Sequence, residues 1–173
     1  DINQQGMDQM MADIVSMGGE LFVMDDGWFG DKYPRKNDSS SLGDWVVDKN
    51  KLPNGIEGLL SDAKKHGVKF GIWIEPEMAN TTSELYEKHP DWVLKASERD
   101  VVLGRGGTQV VLDLANPAVQ DFVFGVVDNL MTSYPEIDYI KWDANMSVQN
   151  HGSQYLTKDN QSHMYIEFHR GFE

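Results

Sequence analysis

The stretch NPAVQDFVFGVVDNLMTSYPEIDYIKWD, residues 116–143, holds one complete helix-to-strand unit and with it the fold class. Asn116 offers a side-chain oxygen as a helix cap, and Pro117 suits a first helical position whose amide has no partner to lose. Val119, Phe122, Val123, Val126, Val127, Leu130 and Met131 then recur at three- and four-residue spacing, an apolar stripe for one helix face. Tyr134-Pro135 ends the helix, since proline breaks the hydrogen-bond ladder. A few residues later Tyr139–Trp142 reads as a β-strand opening onto Asp143.

Working outward, the same unit recurs upstream. Met7, Met10, Met11, Ile14 and Val15 stripe an opening helix that stops at Gly18-Gly19, and Leu21–Met24 reads as a buried strand. Ile56, Leu59, Leu60 and Ala63 mark a second helix ending at Gly67, followed by the strand Phe70–Ile74. Val110–Leu114 reads as a further strand and Ser162–Phe172 as a closing helix. Helix-to-strand links are very short, whereas strand-to-helix segments wander from Trp28 to Pro53 and from Pro76 to Thr108. Repeated β-α order implies right-handed parallel crossovers, so the long loops share the carboxyl ends of the strands, where function concentrates. The expectation is an α/β fold, a (β/α)8 TIM barrel. Such a barrel needs roughly 250 residues, so residues 1–173 supply roughly its first half as one partial domain. A doubly wound open sheet obeys the same rule. Asp1 is not Met, and Gln4–Met17 is amphipathic rather than a basic, apolar leader, so the chain reads as an internal piece of a longer protein.

A composition with 40% hydrophobic and 25% charged residues is that of a globular protein. A formal charge of -13 and a pI near 4.6 argue against nucleic acid and anionic membrane surfaces as partners. The absence of cysteine removes disulfides, thiolate metal sites and a thiol nucleophile, and the chain has no long apolar run. These features are compatible with a cytoplasmic location.

The strand ends gather the chemistry. Alternation along Ile140-Lys141-Trp142-Asp143 puts Lys141 and Asp143 on one side of the strand and Trp142 on the other. An ammonium beside a carboxylate holds it ionised, as a glycosidase nucleophile requires, but such a pair equally well finishes a strand. Asp25-Asp26 fits a sugar-hydroxyl clamp, a magnesium site or a solvated turn, and the absence of supporting His spacing disfavours the metal. Trp73 and Trp142 lie within strands and read as core. Trp28, Trp45 and Trp92 fall in loops, where each is equally open to a place in the core or to offering an aromatic face to a sugar ring. Glu75-Pro76-Glu77 closes the second strand with two carboxyls, Glu77 being open to catalysis or to bonding loop amides. Arg105 between Gly104 and Gly106 is a loop cation that either reaches the site or stays in water. The five His residues do not cluster.

Six blocks in order resemble the α-galactosidases of glycoside hydrolase family 36: Leu21 to Gly30, Ser41 to Trp45, Gly71 to Met78, His89 to Trp92, Val111 to Leu114 and Tyr139 to Asp143. The resemblance runs from the first helix to the last residue. It implies that Asp143 is the nucleophile of a retaining reaction and that Lys141 contacts sugar hydroxyls. It further implies that Asp25 and Asp26 bind galactose hydroxyls, Trp92 walls the pocket, Arg105 lies near the reacting centre and Asn145 touches the ring. Two departures stand out. Arg105 is followed by Gly106-Gly107-Thr108-Gln109 where the family places Asn-Gln almost directly after its Gly-Arg, and Ala144-Asn145-Met146 stands where it tends to read Met-Asn-Arg.

The family's acid/base Asp falls after Glu173, so the resemblance implies a nucleophile without its partner and no turnover by these residues alone. It also implies a melibiose- or raffinose-type galactoside as partner, no metal or redox cofactor, and a homo-oligomeric parent enzyme. Two other activities share these features: galactosyl transfer of the raffinose-synthase type, and non-catalytic galactose binding.

Overall fold

The computed structural model describes residues 2–145, 147–149 and 151–173. Helix α1 (Gln4–Ser16) starts where the Asn3 side chain accepts the Gly6 amide at 2.8 Å and ends beside Gly18, which adopts φ +83. Strand β1 (Leu21–Met24) follows, then the long loop to helix α2 (Gly55–His66). Gly67 closes α2 in the left-handed conformation, and Lys64, Lys65 and His66 in its last turn complement the helix dipole. Strand β2 (Lys69–Ile74) is buried from its second residue onward. Helix α4 (Pro117–Ser133) is capped by Asn116, whose side chain accepts the Ala118 amide at 3.0 Å, and it buries Val119, Val123, Val126 and Leu130. Strand β5 (Tyr139–Trp142) follows α4 after a short link.

Strands β1, β2 and β5 form a parallel sheet in that order, with Met24 paired to Ile72 and Trp73 to Lys141. The parallel pairing follows the expected β-α order, and the central strand carries the continuous apolar run of a strand covered on both faces. Among the described residues this sheet has three strands, short of the eight of a closed barrel.

The fourth expected strand is not part of it. Strand β3 (Met78–Asn80) pairs antiparallel with β4 (Gln109–Val111), so the apolar run read as Val110–Leu114 serves a small two-stranded sheet inside the second long loop. Leu112 and Leu114 are buried there without being strand. Between β3 and β4 lie the short helix α3 (Glu84–Lys88) and a 3-10 turn at Pro90–Trp92. Asp44, from the block Ser41 to Trp45, accepts the amides of Glu84 at 2.9 Å and Leu85 at 3.0 Å, so it caps α3 and ties the two long loops together. The closing helix is shorter than expected: Lys158–His163 is a 3-10 turn and α5 spans Met164–Arg170.

Candidate active site

Asp25, Glu75 and Asp143 are each the first residue beyond their strand, so all three stand on one edge of the sheet. Lys141 Nζ reaches across from β5 to Asp25 Oδ2 at 3.0 Å. Trp73 donates its indole N–H to Asp143 Oδ2 at 3.0 Å, and the Ala144 amide donates to Asp143 Oδ1 at 3.0 Å. The Asn145 amide donates to Glu75 Oε1 at 2.7 Å, which holds the turn after β5 against β2. Lys141, Asp143 and Asn145 are thus brought to the same edge as Asp25.

These contacts set the ionisation of the edge. The Asp143 carboxyl lies below the ordinary carboxylate range, first because the Asn145 side chain bonds it, then because of the Trp73 N–H. Burial opposes them, the Ala144 amide adds a little, and the field of Lys141 contributes least. Lys141 favours the ionised Asp143 through its field, as the sequence suggested, but its direct bond goes to Asp25, and hydrogen-bond donors are the larger influence on Asp143. Glu75 is pushed up by burial, with the Asn145 contacts opposing. Glu77 is pushed up to about 7, chiefly by burial, against the opposing Trp142 N–H that meets its Oε2 at 2.7 Å.

Asp26 turns away from Asp25 to Arg35, a residue absent from the sequence reading, whose Nη2 lies 2.6 Å from Asp26 Oδ2. Asp38 accepts from the same Arg35 with one oxygen, at 3.2 Å, and from Arg105 Nη1 with the other, at 3.3 Å. Arg105 itself has φ +48, followed by Gly106 at +69 and Gly107 at +85, and the Gly104 amide closes the turn onto the Gln109 carbonyl at 2.9 Å. The lengthened loop is therefore a tight turn that sets Arg105 beside Asp38, where its charge also lowers the Glu75 carboxyl. Among the described residues, no group of three or more His, Asp or Glu side chains converges as a metal site would require.

The melibiase family profile matches residues 1–171. The chain belongs to the melibiase family. A probable alpha-galactosidase C of Aspergillus flavus is 43% identical over 155 residues, covering 86% of this chain and 20% of the relative. Alpha-galactosidase AgaA of Geobacillus stearothermophilus is 41% identical over 169 residues, covering 96% of this chain and 22% of the relative. The crystal structure of the alpha-galactosidase from Lactobacillus brevis superposes with a TM-score of 0.91 at 40% identity, covering 99% of this chain and 22% of that one. A doubly substituted AgaA in complex with raffinose gives a TM-score of 0.91 at 39% identity, covering 99% and 23%. The chain spans about a fifth of the length of the melibiase relatives it matches.

Not every residue that the melibiase resemblance singles out joins this edge. Trp92 stacks on His89 at 3.9 Å and packs against Phe122 of α4. It lines a groove of about 920 Å³ with Trp45, and none of Asp25, Asp26, Lys141, Asp143 or Asn145 lines that groove. Of the tryptophans, Trp28 takes the core alternative and Trp142, expected in the core, does not. Trp28 is wholly buried, its N–H donating to the Trp73 carbonyl at 2.9 Å, whereas Trp142 is 40% exposed. Met146, where the chain departs from the family pattern, lies outside the described residues. Trp73, read as core and only 2% exposed, also bonds Asp143, and Arg35, which the sequence did not single out, bonds Asp26. Strand alternation does set Trp73 on the same face as Glu75, a signal that was available.

Proposed function

We propose that this chain carries the nucleophile side of the active site of a retaining α-galactosidase, acting on terminal α-galactosides of the melibiose and raffinose type. One observation carries the reading: Asp143 is kept ionised by Trp73 and Asn145 on the same sheet edge as the Lys141–Asp25 pair. The names of the melibiase relatives support it, as do the solved relatives in complex with raffinose, stachyose and 1-deoxygalactonojirimycin.

In this reading the Asp143 carboxylate attacks the anomeric carbon as the bond to the leaving oxygen breaks, giving a covalent galactosyl ester that water then opens. Lys141 and Asp25 present a donor and an acceptor to the sugar hydroxyls, and Asp26 presents further acceptors. The proton for the leaving oxygen comes from a second carboxyl, which retaining enzymes set about 5–5.5 Å from the nucleophile. That role is assigned to no residue of this chain, Glu77 being buried and committed to Trp142. The three-stranded sheet is read as part of a (β/α)8 barrel, whose active sites lie at the carboxyl ends of the strands.

The test uses the full-length protein and an aryl α-galactoside. Asp143→Asn is expected to lower kcat on the order of 10⁴-fold or more, with galactose affinity by calorimetry little changed. Retained turnover removes Asp143 from its role. Product analysis with a competing sugar acceptor separates hydrolysis from galactosyl transfer, and binding without release of the aryl group indicates a binding module.

A further inference from the structure

Arg35 lies outside every sequence block that carries the family likeness, and no chemical step calls on it. It is nevertheless 4% exposed, and all five of its N–H groups are used. Nε donates to Asp26 Oδ1 at 3.0 Å and Oδ2 at 3.2 Å, and Nη2 to Asp26 Oδ2 at 2.6 Å and Asp38 Oδ1 at 3.2 Å. Nη1 donates to the Ser40 carbonyl at 2.9 Å and to Asn80 Oδ1 at 3.0 Å. The guanidinium also lies 5.7 Å from the centre of the Phe29 ring.

The anchors behind it are fixed independently of Asp26. Asn80 is fully buried and uses its amide nitrogen to bond the carbonyls of Asp38 at 2.8 Å and Thr108 at 3.1 Å. Lys51 Nζ bonds the carbonyls of Gly27, at 2.6 Å, and Arg35. A planar fork held at this many points cannot follow a carboxylate that moves, so the carboxylate adopts the orientation the fork dictates. Asp25 differs: its side chain is 66% exposed and meets a Lys141 that is itself 41% exposed, a pair free to rearrange around a ligand. The Asp26 side chain is 28% exposed, leaving outward lone pairs for a ligand.

We infer that Arg35 is a positioning residue, which locks the plane of the Asp26 carboxylate so that its outward lone pairs meet sugar hydroxyls at a fixed angle. Asp26 is then the rigid half of the acidic pair and Asp25 the adjustable half. This rests on the α-galactoside reading above.

A double-mutant cycle in the full-length protein tests it. Arg35→Lys replaces the fork with a single point charge and is expected to raise KM for an aryl α-galactoside about 10- to 100-fold, the scale of a lost bidentate charged hydrogen bond, with little change in kcat. In an Asp26→Asn background the same substitution is expected to change KM less than about twofold, since a residue acting only through Asp26 has nothing left to position. Equal effects in both backgrounds, or an unchanged KM in Arg35→Lys, overturn the inference. Arg35→Gln, which keeps an N–H donor, serves as the second variant if Arg35→Lys does not fold, and failure of both to fold assigns Arg35 to the fold alone. Absence of turnover in the unsubstituted protein counts against the α-galactosidase reading instead.

Discussion

Trp73, on the central strand, donates its indole N–H at 3.0 Å to Asp143, the first residue beyond the neighbouring strand. A side chain only 2% exposed therefore helps to decide the charge of a carboxyl at the open edge of the sheet. Trp73 also receives the Trp28 N–H on its carbonyl and stacks in parallel with the Phe29 ring, so its donor is held in place by the core.

Trp73→Phe keeps the ring and removes the donor. Asp143 then loses an interaction that favours its charged form, so its pKa rises and the acid limb of the kcat/KM profile moves to higher pH. A hydrogen bond to a charged group predicts a loss of about tenfold or more at the optimum. An unmoved acid limb shows that Trp73 serves packing alone.

Lys141→Met separates two roles for the ammonium. Its field is the weakest of the influences that lower Asp143, while its direct bond is to Asp25. The expected result is a raised KM with an acid limb close to that of the unsubstituted enzyme. A large shift of that limb would restore the simpler view that the lysine keeps its neighbour ionised.

Glu77 gives a stability signature. Its carboxyl is raised from the ordinary 4.5 to about 7, so between those values the folded protein holds a proton that the unfolded chain has released. The stability that Glu77 contributes is fully present below that window and is lost as pH rises through it, by on the order of 3 kcal/mol. Glu77→Gln, followed by thermal unfolding of the full-length protein at several pH values, is expected to flatten this slope.

Asn80→Ala removes the fully buried amide that joins Leu42, Asp38, Thr108 and Arg35. Leaving several buried groups without partners costs about 2–5 kcal/mol. The measurement is the unfolding midpoint, and a loss below about 1 kcal/mol would show that water replaces the amide.

The parallel framework was legible because α2 and α4 carry helical periodicity between glycine and proline stops, and β1, β2 and β5 are short strands each followed directly by a carboxylate. Val110–Leu114 was read as one strand, yet only Val110 and Val111 are strand, because a short apolar run looks the same in a central strand and in a loop hairpin. Trp28 was left open and Trp142 was misread as core because burial depends on what packs against a residue: Trp28 lies under Trp45 and Phe29, whereas Trp142 is on an edge strand. The choice of partner was illegible for a related reason. Lys141 stands two residues from Asp143, yet its hydrogen bond goes to Asp25, 116 positions away, and nothing local marks Arg35 as the fork for Asp26.

Strands β1 and β5 each pair with β2 and, among the described residues, with no other strand. A polypeptide of these residues alone would expose a row of unclaimed backbone donors and acceptors on each flank, and would recruit copies of itself edge to edge unless another segment were supplied to cap them.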